Sequence, residues 1–186
     1  VATVSSKGVV KGIAPGVAVI TATAKDGSLV KGSVTINVLP ATAQIMLSAD
    51  GVQSSAGSIN LSSNKKTLLL TAKADPSGAT QAVTWKISDT KIAKIAVDGL
   101  SCTATGAAVG SATITATAKD GTGKKGTFKV TVTRLASGVT ITGSSNQMIG
   151  GKTMTLKATV TPSGTTNKAV NWTTGDAGVA TISSKG

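Results

Sequence analysis

The stretch GAAVGSATITATAKDG, Gly106–Gly121, alternates through its centre without a break. Ala112, Ile114, Ala116 and Ala118 fall on one side, Thr113, Thr115 and Thr117 on the other. A period of two is the mark of a β-strand. The threonine face can keep its hydroxyls in water, so the alanine–isoleucine face is predicted to turn inward. Lys-Asp-Gly then breaks the strand with the chemistry of a tight hairpin. The same pattern stands earlier: GIAPGVAVITATAKDG, Gly12–Gly27, matches at a constant displacement of 94 positions, from 12 to 106 and from 27 to 121. Self-similarity at such a period means an array of modules.

The match extends in both directions. TFKVTVT puts Phe128, Val130 and Val132 inward, as Val34, Ile36 and Val38 are in the earlier copy. The octet VATVSSKG (Val1–Gly8) is echoed by IAKIAVDG (Ile92–Gly99) and VATISSKG (Val179–Gly186). LLLTAKADPSGATQAVTW (Leu68–Trp85) lies over MTLKATVTPSGTTNKAVNW (Met154–Trp172), which has one extra residue before its Trp. On this reading residues 1–40 are the C-terminal half of a first module, 41–134 a complete module, and 135–186 the N-terminal half of a third. The chain is then expected to be a segment cut at equivalent points of modules one and three.

Short alternating strands with Pro-Ser-Gly and Asp-Gly turn signals predict an all-β chain of tandem sandwiches. Leu68, Leu70, Ala72 and Ala74 form one inward row; Val83, Trp85 and Ile87 form another. Each alanine–isoleucine face is expected to pack against a tryptophan-bearing sheet. The predicted core anchors are Trp85, Trp172, Ile114, Ile20 and Phe128. Aromatics make up 2% of the chain and much of the apolar content is Ala and Val, so the cores are thin. Such cores suit small sandwiches better than a deep enzyme interior.

These ordered motifs resemble the bacterial immunoglobulin-like domain, group 2. The middle module carries DPSGATQAVTWKISDTKIAKIAVDG, GAAVGSATITATAKDG and FKVTVT in that family's order, and the resemblance covers essentially the whole chain. It departs in a longer front segment, with 23 positions from Ile45 to Leu68 against 15 from Val139 to Met154, and in an insertion around Cys102. SSAGSINLSSN is therefore read as an extended loop or an extra edge strand. The resemblance implies immunoglobulin-like sandwiches strung in tandem on bacterial surface proteins, adhesins or phage structural proteins, with no catalytic site to carry over.

The residue inventory agrees. The chain has no His and no Glu, so the usual acid–base and metal-ligand sets are missing, and neither a catalytic residue, a cofactor nor a metal is expected. Its seven Asp stand mostly in turns, where the side chain caps its own backbone; calcium held between modules is the alternative weighed against that reading. Cys102 stands alone and reads as an inert buried thiol. The net charge of +12 is carried almost wholly by Lys. Lys on exposed strands keeps sheets soluble and blocks edge-to-edge pairing; the sharper alternative is attraction to an acidic surface. A basic contact tip is predicted at Lys124 and Lys125, with Lys31 at the matching place. Readers of nucleic acid want Arg forks and stacking aromatics, which are not supplied.

The functional expectation is a non-catalytic spacer or stalk of an extracellular bacterial surface or fibre protein. Short connectors, NVLPATA with its stiffening Pro40 and VTRLASG, would make it semi-rigid. Its partners would be neighbouring modules of the same or an adjacent chain, and the two halves could complete each other head to tail. The alternatives are a binding module for anionic glycan or a host receptor, and a virion surface domain of a phage. No run of 18 apolar residues suggests a membrane span.

Overall fold

The computed structural model describes residues 1–184, and fifteen strands account for its regular structure. At its centre two sheets stack. The five-stranded sheet comprises β5 (Gln44–Ala49), β6 (Val52–Gln53), β8 (Thr67–Asp75), β10 (Ala93–Asp98) and β11 (Ser101–Gly106), in the order β10-β11-β8-β5-β6. The four-stranded sheet comprises β7 (Ala56–Asn60), β9 (Val83–Ile87), β12 (Gly110–Ala118) and β13 (Lys125–Thr133), in the order β7-β13-β12-β9.

The period-two patterning builds the core directly. Leu68, Leu70, Ala72 and Ala74 of β8 face Ile114, Ala116, Phe128, Val130 and Val132 of the other sheet, all buried in one cluster. Cys102 is buried in the same cluster from β11. Gly126 is required here by close approach: a Cβ there would stand 2.7 Å from the Ile45 carbonyl oxygen. Gly57 likewise leaves room for Phe128, whose ring would lie 2.8 Å from an added Cβ. That gap explains why small residues open β7, which lies parallel to β13 at the sheet edge. The SSAGSINLSSN insertion therefore supplies an edge strand and the loop after it.

Two expectations need correction. Trp85 does not face the alanine–isoleucine strand across the sandwich. It is on β9, whose pairing with β12 sets Trp85 beside Ala116 and Ile87 beside Ile114 in one sheet. Alternation tells which side chains turn inward, and it carries no information on which sheet a strand joins. Nor does Asp120-Gly121 make a tight hairpin: β12 and β13 pair only as far as Thr117 and Lys125, leaving a wider loop. The two-residue Asp-Gly turn is instead Asp50-Gly51 between β5 and β6, with φ of 47° and 87°, as the mirror-image turn of a two-residue hairpin requires.

Around this sandwich stand three two-stranded sheets. β1 (Ala2–Val4) pairs with β2 (Val10–Gly12), β3 (Gly16–Thr23) with β4 (Lys31–Val38), and β14 (Gly138–Thr142) with β15 (Lys157–Thr161). β3–β4 repeats the β12–β13 pairing residue for residue, with Ile20 opposite Val34 as Ile114 is opposite Phe128. β14–β15 repeats β5–β8. Val170–Trp172, the counterpart of β9, joins no sheet. β9 itself is held by a single neighbour, β12, and no strand among the described residues plays that part for Val170–Trp172. Of the third octet, Lys185 and Gly186 lie outside the described residues.

Candidate functional site: junctions and sheet faces

The predicted anchors are unequally placed. Ile114 and Phe128 are fully buried; Trp85 is buried and its indole N–H donates to the Gly99 carbonyl at 3.3 Å. Ile20 and Trp172 are only half-buried. The difference tracks the covering sheet. Val34 is 54% exposed where its counterpart Phe128 is 0% exposed. Ile141 is 57% exposed where Leu47 is 6% exposed. An added Cβ at Gly32 would meet nothing within 4 Å, against the backbone clash at Gly126.

Lys124 and Lys125 sit at the β12–β13 loop and Lys31 at the start of β4, all exposed. The loop is pinned at its base by Asp120. One carboxylate oxygen accepts the backbone and hydroxyl protons of Thr122, at 3.0 and 2.6 Å, and the other accepts the Thr42 backbone N–H at 2.8 Å. These bonds, the Thr122 hydroxyl first, hold Asp120 well below the usual carboxylate range. Asp26, in the equivalent loop, is lowered by the Ser28 hydroxyl and N–H. Asp50 is lowered by Lys65, 2.8 Å away, and by the Leu69 N–H. Burial pushes the Cys102 thiol up to about 11. A protonated, enclosed thiol is a poor nucleophile. No three potential metal-ligating side chains converge among the described residues.

The connectors are held in a way that sequence reasoning missed. Pro40 lies over the Pro76-Ser77-Gly78 turn, its Cγ 3.3 Å from where a Cβ on Gly78 would be. Arg134, its counterpart, lies over Pro162-Ser163-Gly164, its Nη1 3.0 Å from the same position on Gly164. The two turns are built alike: Ala79 donates to the Pro76 carbonyl and Thr165 to the Pro162 carbonyl, and both prolines follow cis peptide bonds. At the second connector the backbone is gripped from both sides. Ser62 bonds both N–H and carbonyl of Leu135, at 3.0 and 3.1 Å. The Thr166 hydroxyl accepts the Arg134 N–H at 2.7 Å, and the Thr166 N–H donates to the Arg134 carbonyl at 2.9 Å. Ser62 belongs to the insertion that lengthens the middle copy. No local pattern could reveal this contact, because its partners are 73 residues apart.

Residues 58–133 and again 136–186 match the family model described as bacterial Ig-like domain (group 2). The chain belongs to this family. Its bacterial Ig-like modules stand in tandem, since the two matches follow one another along the chain. An uncharacterised protein of Clostridium acetobutylicum is 36% identical over 138 residues, 70% of this chain. The matched region spans only 14% of that protein's length. Among solved structures, domains 4 and 5 of the S-layer protein SbsC are 26% identical, with a TM-score of 0.35 over 71% of this chain and 65% of that one. Domains 1–6 of the same surface layer protein are 22% identical, with a TM-score of 0.37 over 86% and 27%.

Proposed function

We propose that this chain is a non-catalytic, semi-rigid segment of a bacterial surface or fibre protein, in which Ig-like modules set reach and spacing. Residues 1–40 act as the back half of one module and 135–186 as the front half of another, each completed by a neighbouring module in the same or an adjacent chain. The observation that carries this reading is the repeated junction: at both connectors the linking residue rests on the glycine of the next Pro-Ser-Gly turn. Side-chain clamps on Leu135 and Arg134 reinforce the second one. Linkers tied down at backbone level lose the freedom of a flexible tether, and each module then orients the next.

The test is a distance distribution by pulsed electron spin resonance. Spin labels at K94C and T159C, in a C102A background, span the second connector. A narrow single peak is expected, broadening when S62A, T166V and R134G loosen the clamp. A starting distribution already as broad as that of the loosened variant would reject the semi-rigid reading.

A further inference from the structure

Charge is divided unequally between the two faces of the central sandwich. In the five-stranded sheet Lys73 and Lys94 are balanced by Asp75 and Asp98. The strands of the four-stranded sheet carry Lys86, Lys125 and Lys129 and no carboxylate at all. All three lysines are exposed, and the ion pair found among the described residues, Lys65–Asp50, lies elsewhere.

Register places these cations regularly. Thr117, Thr115 and Thr113 form the outward row of β12. Lys125 stands opposite Thr117 on β13, Lys86 opposite Thr115 on β9, and Lys129 opposite Thr113 on β13. One lysine therefore flanks each threonine in register, alternating sides, with levels ~6.8 Å apart along the strand and neighbouring strands ~4.8 Å apart. Short threonines make the floor of an open trough and long lysine stems its walls, Lys86 and Lys125 on opposite sides. In the β3–β4 hairpin only Lys31 is kept, since Thr35 replaces Lys129. The ladder thus belongs to the middle module and is not a by-product of the repeat.

We propose that this face of the middle module holds an extended anionic polysaccharide along β12, its carboxylate or phosphate groups between the lysines and its hydroxyls on the threonine floor. A hydroxyl floor suits sugars. The face offers no aromatic or Arg for stacking bases, and none of the aromatic anchors that centre a protein interface. Single exposed charge pairs are weak, so affinity would come from repetition along a polymer. The proposal goes beyond the spacer reading and is tested separately from it: clamp variants leave this face intact, and face variants leave the clamp intact.

The experiment measures binding of the full chain to polygalacturonate, to dextran and to a 20-mer of thymidylate, at two salt concentrations. Polygalacturonate is expected to bind saturably and dextran not at all. K86Q/K125Q/K129Q should weaken polygalacturonate binding by about tenfold or more, while K73Q/K91Q/K94Q, with the same loss of charge, changes it less than about threefold. T113V/T115V, which keeps every charge, should weaken it severalfold. Equal losses in the two lysine variants would reduce the effect to net charge and overturn the proposal. So would tighter binding of the thymidylate strand, or no saturable binding of polygalacturonate.

Discussion

Ile114 and Ile20 occupy the same place in one repeat, yet Ile114 is fully buried between two sheets and Ile20 is only half-buried. The cost of shortening each should differ accordingly. Ile114→Ala is expected to destabilise the sandwich by about 2–5 kcal/mol, since the cavity it leaves is enclosed. Ile20→Ala should cost less than about 1 kcal/mol in the isolated chain, since little area leaves water-free surroundings. Urea melts of the two variants check this. Asp120 supplies a second residue-scale test. Its carboxyl is held low in the folded protein by Thr122 and Thr42, so the unfolded state takes up protons first as pH falls. Its contribution is fully present above the ordinary carboxylate value of about 4 and is lost as pH drops below it. The urea midpoint of the wild type should fall more steeply between about pH 4 and 2 than that of D120N. Parallel curves would show that the Thr42–Asp120 tie carries no linkage.

Among the elements, the tryptophan strands are the most informative. β9 exists because β12 stands beside it, and Val170–Trp172 remains outside any sheet. Single-tryptophan variants separate the two. W172F, reporting Trp85, should emit at short wavelength and resist acrylamide quenching. W85F, reporting Trp172, should emit further to the red and quench readily. Similar spectra would mean that Val170–Trp172 is packed after all. Much at this scale was legible beforehand. The inward rows of β8, β12 and β13 follow from alternation alone, because burial on one face forces a period of two. Sheet membership was not legible: Trp85 was expected opposite Ile114 and lies in the same sheet, two strand positions from it. The role of SSAGSINLSSN was half legible, as an edge strand without its clamp. Ser62 grips Leu135 through folding of the whole module, and neither residue type announces it.

Across the described residues, the central copy of the repeat is covered by two stacked sheets, while β3–β4 and β14–β15 leave Val34 and Ile141 more than half exposed. Exposed apolar strand faces and unpaired edges invite a complement, and the middle module displays the form that complement takes: strands like β5 and β8 laid over a hairpin like β12–β13. On the proposed reading, a half module of this kind takes its missing half from a neighbouring module of the same or an adjacent chain. End-to-end growth by such head-to-tail contacts would give a fibre. Amide hydrogen exchange, resolved residue by residue on the dilute monomeric chain, tests this account most directly. Ile114 and Val130 should be protected by at least about a thousandfold more than Ile20 and Ile36, because opening them requires unfolding the sandwich. Equal protection at the two sets of positions would contradict it.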